Sequence, residues 1–277
     1  MPRGYANAKL SQDASPPRCN GLLRTAENKL LKSLFGPRGS GRFPVVTYIR
    51  AFVPLKHPVC ARSRLLEALT AKQRHSMYFT LARRVITALR DVPMVRDTVI
   101  VTSSAEVEMF AGHLGVRVMH QMRDEGINSA CEAALASSSA VGITNALIVP
   151  GDLPLITSES ITALLQSAHL QHRGVTIVPD RHHIGTNALV CTPADAIRLR
   201  FGPNSFSEHL RTAREHSLVY RVFESGELAL DIDEPEDLDA WRGYDRPTNV
   251  GDQRESTSTA GGRGSLSGNR IDVISPG

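Results

Sequence analysis

Between residues 44 and 243 the chain alternates two hydrophobic periods. Short apolar runs predict strands at Val45–Val53, Thr98–Thr102, Val116–His120, Ala146–Pro150, Val175–Pro179, Ala188–Cys191, Val219–Phe223 and Leu228–Ile232. Stretches with helical spacing predict helices at Leu65–Leu69, from Thr70 to about Arg90, from Ser103 to Gly115, and at Ile127–Ser138, Ile161–Leu170, Phe206–His216 and Glu236–Trp241. In the longest of these, Met77, Leu81, Val85 and Leu89 recur every fourth residue and lay one apolar stripe along a helix. Thr70-x-x-Gln73 and Ser103-x-x-Glu106 carry capping-box spacing, and Gly115 is placed to end the second helix. Apolar strands alternating with amphipathic helices imply an α/β fold with a mostly parallel sheet covered on both faces. The crowded strands toward the C-terminus suggest an antiparallel edge.

Composition sets limits on this picture. The 277 residues are 41% hydrophobic but only 5% aromatic, which suits a core of Val, Ile, Leu and Ala. The formal charge of +4 is unevenly placed. Residues 1–43 hold eight Lys or Arg against two Asp or Glu, so this Pro-, Gly- and Arg-rich stretch reads as a basic, disordered extension. Residues 244–277 (with STSTAGGRGSLSGN) read as a disordered tail. The central 44–243 is slightly acidic, which argues against nucleic acid as a partner. Cys19, Cys60, Cys131 and Cys191 lie far apart without metal-site spacing, and no apolar run is long enough to cross a membrane. The expectation is a reduced, cytoplasmic protein.

In open α/β sheets ligands bind beyond the carboxyl ends of the strands, and four segments there carry polar chemistry. The first runs from Val53-Pro54-Leu55-Lys56 to Ala61-Arg62-Ser63-Arg64, where a point charge and a guanidinium fork at a helix start suit phosphate oxygens. The second, Val149-Pro150-Gly151-Asp152, sets a carboxylate in a stiff loop, as a hard-cation ligand or a turn cap. The third, Leu228–Leu238, holds Asp231 and Asp233 two apart on an expected strand, hence on one face, where two carboxylates repel unless a cation lies between them. The fourth joins Asp180–Ala188 to Phe201–Phe206, offering Gly, Thr, Asn and Ser donors to a small anion. Adjacent His182 and His183 are poorly spaced to share one zinc ion.

With these segments in order, residues 45–242 resemble the 2-phospho-L-lactate guanylyltransferase family of deazaflavin coenzyme F(420) biosynthesis. The resemblance is carried by VPLK (53–56), ARSRL (61–65), GINSACEAAL (126–135), VPGDLPL (149–155), DRHHIGTNAL (180–189), FGPNSF (201–206) and LALDIDEPEDL (228–238). It implies a single Rossmann-like α/β/α sandwich of the nucleotide-diphospho-sugar transferase type. It also implies transfer of GMP from GTP to a small phosphorylated acid with Mg2+. Carried onto this chain, it implies Asp152, Asp231 and Asp233 as metal ligands and Lys56, Arg64 and Asp152 as catalytic residues. Pro54, Lys56, Arg64, Gly126, Asn128 and Ser129 would face the nucleotide. Thr186, Asn187, Gly202 and Ser205 would cradle the acid, with Cys131 and His183 shaping its pocket. Two departures stand out: Arg62 replaces a common Lys, and His182-His183-Ile184 replaces a loop that often contains Gly.

The acid is left open among 2-phospho-L-lactate, phosphoenolpyruvate and 3-phospho-D-glycerate, with His183 leaning slightly toward the last. Glu132 is a candidate acceptor for guanine N–H groups or a solvated helix residue. A related cytidylyl, molybdopterin-type or sugar-nucleotide transferase is the nearest alternative, but residues 53–64 contain no glycine for the usual phosphate loop. A non-catalytic nucleotide-binding module tethered by the basic arm is the alternative from another class. A homodimer, and hand-off of product to the following enzyme, are compatible with the sequence.

Overall fold

The computed structural model describes residues 49–59, 61, 63–121, 126–140, 145–168, 170, 172–244 and 270–274. Most of the two expected extensions, and Cys19, Cys60 and Arg62 with them, lie outside the described residues.

An eight-stranded sheet runs in the order β3-β2-β1-β4-β6-β5-β7-β8. Its strands are β1 (Ile49–Pro54), β2 (Val95–Thr102), β3 (Arg117–His120), β4 (Asn145–Ile148), β5 (Gly174–Pro179), β6 (Thr186–Thr192), β7 (Val219–Glu224) and β8 (Arg270–Ile274). The pairs β1–β2, β2–β3, β1–β4 and β5–β7 are parallel; β4–β6, β5–β6 and β7–β8 are antiparallel. The expected antiparallel edge is thus corrected in part. One reversed strand, β6, lies inside the sheet, because the short 180–185 turn joins β5 to β6 and a turn that short connects only antiparallel neighbours. The other, β8, forms the edge from five residues of the stretch read as a tail.

Alternate residues of each strand feed two separate cores. Ile49, Ala51, Val53, Ile100, Leu147, Val149, Ala188 and Val190 face one, packed with α1 (Ala71–Arg90), α2 (Ala105–Leu114) and α4 (Ser158–Ser167). Phe52, Val99, Val101, Ala146, Ile148, Leu189 and Cys191 face the other, with α3 (Ile127–Ala140) and α5 (Ser205–Glu215). This period of two, closed by helices on both sides, produces a three-layered sandwich. In α1 the stripe residues Leu81, Val85 and Leu89 are fully buried, and Thr70 with Gln73 forms the expected capping box.

Two local expectations change. Ser104, not Ser103, caps α2, its hydroxyl accepting from Val107 N–H, while Gly115 closes the helix in the left-handed region at φ 64°. Leu65–Leu69 is not an α-helix; a 3-10 turn spans Ser63–Leu65. A third, smaller core of Leu65, Leu81, Ile232 and Leu238 ties this turn and α1 to the segment that opens α6 (Pro235–Tyr244).

Candidate active site

Every parallel strand from β1 to β5 delivers its C-terminal end to one side of the sheet, and β6, running the opposite way, starts there. A cleft of about 690 Å³ opens on that side. Its walls come from Pro54, Leu55, Lys56 and Arg64 after β1, Ser103 after β2, Gln121 after β3, and Pro150–Asp152 after β4. Asp180 and Ile184–Asn187 join from the β5–β6 turn, Gly202–Ser205 from the start of α5, and Asp231 with Asp233 from beyond β7. The four polar segments read from the sequence therefore meet in one cavity.

Two helix N-termini open on the cleft. Gly126 and Ile127 begin α3, and Gly202–Ser205 begin α5, whose N-cap Asn204 lies in the left-handed region and makes no side-chain cap. The positive end of a helix dipole favours an anion at each place. Asn128 locks the two together. Its Oδ1 accepts from Phe201 N–H at 2.8 Å and its Nδ2 donates to Phe201 carbonyl at 2.9 Å. Both ends of the amide are therefore engaged by backbone, and Asn128 acts as a strut where a nucleotide contact was expected. Ser129 is exposed and does not line the cleft. Glu132 accepts from Leu199 N–H at 3.2 Å, a structural role that neither reading of it foresaw.

The carboxylates come together on a different local structure from the one expected. Residues 226–229 form a helical turn and Leu230–Asp233 an irregular segment, not a strand. Leu230 and Ile232 are buried while Asp231 and Asp233 line the cleft, so the alternation survives without a ladder. Burial raises the Asp231 pKa to about 7, with the charges of Asp152 and then Asp233 adding to it and a hydrogen bond from Asn187 opposing it. Among the described residues no three Asp, Glu, His or Cys side chains are grouped closely enough to hold an ion by themselves. The donors are all hard oxygens, though, and Mg2+ characteristically takes one or two carboxylates and completes its shell with water and substrate phosphate. That chemistry fits the ion.

Asn187 is buried, and its Nδ2 lies 3.0 Å from the carbonyls of Leu228 and Ala229 and 3.3 Å from Asp231 Oδ1. Its amide nitrogen thus holds the carboxylate segment against β6. Asp237, hidden from the sequence reading, holds that segment from the other side. Its Oδ2 accepts from the N–H groups of Asp233 and Glu234 at 2.9 and 2.7 Å, and its Oδ1 pairs with Arg181 at 2.6 Å. Asp180 was likewise missed as an organiser. Its carboxylate accepts from the N–H groups of His182, Ile184 and Gly185 and shapes the loop before Thr186. The signal was available, since Asp early in a short turn commonly bonds backbone N–H groups just beyond it.

Lys56 and Arg64 both reach the cleft, and Arg64 pairs at 3.1 Å with Glu234 while 67% of its side chain is exposed. Tyr78 supports the Lys56 loop by donating to its carbonyl at 2.5 Å. The two pocket-shaping guesses are corrected. Cys131 is fully buried in the core on the α3 side, and burial, with the Glu132 charge, pushes its thiol up to about 12. His183 stands outside the cleft lining, its Nε2 3.5 Å from Glu224 and its ring edge-on to Phe206. The lean toward 3-phospho-D-glycerate loses its basis with it.

Comparison with known proteins bears on this cleft. Residues 49–241 match the family described as guanylyl transferase, CofC like. The phosphoenolpyruvate guanylyltransferase of Sphaerobacter thermophilus is 36% identical over 194 residues, covering 70% of this chain and 92% of that protein. The 2-phospho-L-lactate guanylyltransferase of Methanothermobacter thermautotrophicus is 32% identical, covering 68% and 81%. Among solved structures, a candidate nucleotide-diphospho-sugar transferase of Desulfovibrio desulfuricans G20 superposes with a TM-score of 0.59 at 16% identity, covering 72% of this chain and 88% of that one. CMP:2-keto-3-deoxy-manno-octonic acid synthetase, solved with CTP, superposes with a TM-score of 0.52 at 13% identity, covering 71% and 98%. At these identities the structures establish the fold, which is that of the nucleotide-diphospho-sugar transferases.

Proposed function

The chain belongs to the CofC-like guanylyl transferase family, and from that membership we propose that it moves GMP from GTP onto the phosphate of phosphoenolpyruvate, releasing pyrophosphate, as a step in coenzyme F(420) biosynthesis. The choice of acid is supported by the 36%-identical relative named for phosphoenolpyruvate. The observation that carries the site is the convergence of Asp152, Asp231 and Asp233 on the cleft that also holds Lys56, Arg64 and two helix N-termini.

An oxygen of the acid's phosphate attacks the α-phosphorus of GTP, the new P–O bond forms, and the bond to the β-phosphate breaks with pyrophosphate as leaving group. The phosphate dianion is nucleophilic without a general base, so the chain's contribution is positioning and charge neutralisation. Lys56, Arg64 and the start of α3 hold the triphosphate, and Pro54 and Gly126 form the adjoining wall. Thr186, Gly202 and Ser205, with the N-terminus of α5, hold the acid. One or two of Asp152, Asp231 and Asp233, with water and substrate phosphate, would hold Mg2+, which when bound neutralises phosphate charge and favours in-line displacement.

The test is to incubate the purified chain with GTP and each of phosphoenolpyruvate, 2-phospho-L-lactate and 3-phospho-D-glycerate, with Mg2+ or with EDTA. Products are read by mass spectrometry. The expected result is a guanylyl-diphospho-acid that forms fastest from phosphoenolpyruvate and is lost with EDTA. Faster product from another acid reassigns the acceptor. No product from any acid removes the reading.

A further inference from the structure

His209 is fully buried on α5, one helical turn beyond Ser205, with its ring edge-on to Phe201 at 5.0 Å. Its Nε2 stands 3.0 Å from the backbone nitrogen of Arg200. A peptide N–H only donates, so this ring nitrogen accepts and carries no proton. The single proton of a neutral imidazole must then sit on Nδ1. Burial drives the His209 pKa down to about 4, which keeps the ring neutral near pH 7. Nδ1 lies 3.0 Å from Thr186 Oγ1, and Nδ1–H therefore donates to that hydroxyl.

Thr186 lines the acid side of the cleft. A threonine hydroxyl is ambivalent, offering one proton and two lone pairs. Facing a phosphate or carboxylate, which offers only acceptors, it attracts when it donates and repels when it presents lone pairs. With His209 donating to it, the hydroxyl proton is turned away from the ring. We propose that His209 is a positioning residue that fixes the Thr186 hydroxyl as a hydrogen-bond donor to an anionic oxygen of the phospho-acid. The proposal rests on the reading of the cleft given above. It adds a specificity element, since the polarity of this contact selects an acceptor-only group at that point.

Two measurements test it on the full chain. Nitrogen-15 histidine NMR, with the His209 signals identified by their loss in His209→Phe or His209→Asn, is expected to show Nδ1 protonated and Nε2 bare from pH 6 to 9. A proton on Nε2, or titration within that range, overturns the arrangement. This measurement needs no substrate, so it stands apart from any failure of the transferase reading. In kinetics, His209→Phe and Thr186→Val are each expected to raise KM for the phospho-acid about tenfold, with KM for GTP unchanged. The double variant should lose no more than either single one. His209→Asn, whose amide nitrogen can stand near the Nδ1 position, should recover most of the loss. Additive losses, equal effects on both substrates, or no recovery by Asn would reduce His209 to packing and sink the proposal.

Discussion

Ile232 donates its backbone N–H to the carbonyl of Asp152 at 3.3 Å. This one bond ties the loop after β4 to the segment before α6, and it brings a carboxylate from each into mutual repulsion. Ile232 itself is fully buried against Leu65, Leu81 and Leu238, so the clasp is anchored by apolar packing. The fold thereby holds Asp231 where its anion is unfavourable in the absence of a counter-ion.

That strain gives the first prediction. The Asp231 pKa is raised from 3.8 to about 7 in the folded chain. Well below pH 3.8 both folded and unfolded states are protonated and nothing is lost. As pH climbs through the interval between these values the unfolded chain releases its proton first, so the folded state binds more protons and stability falls. Above pH 7 the loss is complete. Metal-free Asp231→Asn is therefore expected to melt higher than the parent at pH 8, with the gap narrowing toward pH 4. Turnover with Mg2+ should drop by about 100-fold or more. A variant that melts lower at pH 8 and keeps its rate would show that Asp231 is neither strained nor a ligand.

Asp237 gives the second. It is 7% exposed and holds Asp233 N–H, Glu234 N–H and Arg181 at once. Asp237→Ala strands two backbone donors and a cation near the surface. An expected loss of about 2 kcal/mol in urea unfolding follows, together with a fall in kcat as Asp233 loses its backbone anchor. Unchanged kcat with the stability loss would limit Asp237 to capping α6.

Asn128 was expected to face the nucleotide, and its geometry gives it a structural role. Because both ends of its amide bond Phe201 backbone, Asn128→Ala should cost about 1–3 kcal/mol of unfolding free energy and leave the preference for GTP over ATP unaltered. Competition assays with ATP decide the point. A collapse of that preference would return Asn128 to the nucleotide.

These cases mark what the sequence could and could not disclose. The Thr70–Gln73 capping box was legible because its partners lie three residues apart. Asn128 and Phe201 lie 73 apart, and no local spacing announces that bond. Cys131 was a misreading of available information. Ile127, Ala130, Cys131, Ala134 and Leu135 recur at the spacing of one buried helical stripe, which already placed the thiol in the core. The segment LALDIDEP shows the opposite hazard. Its alternation of apolar and acidic residues is that of a half-buried strand, yet an irregular segment anchored at Leu230 and Ile232 meets the same pattern outside any strand ladder. The interior position of β6 depends on its pairing with β4, a long-range choice that strand periodicity does not encode.

The tight packing of the β5–β6 turn yields the last prediction. A Cβ built on Gly185 would stand 2.8 Å from Asp180 Oδ2, the oxygen that already accepts the Gly185 N–H at 2.7 Å. That carboxylate is held in place by its bonds to His182 and Ile184, so it cannot retreat without releasing the loop. The carbonyl of Ile184 in turn receives Phe206 N–H from the first turn of α5. Gly185→Ala should therefore disturb Thr186 and the α5 N-terminus together, on the half of the cleft proposed to hold the acid. Lys56 and Arg64 lie on another loop and should be unaffected. The expected outcome is a KM for the phospho-acid raised by about tenfold or more, as for loss of one or two charge-assisted hydrogen bonds, with KM for GTP within about twofold of the parent, less than one neutral hydrogen bond is typically worth. Equal rises for both substrates would mean that the disturbance reaches the nucleotide half through the bonds that tie Asn128 to Phe201.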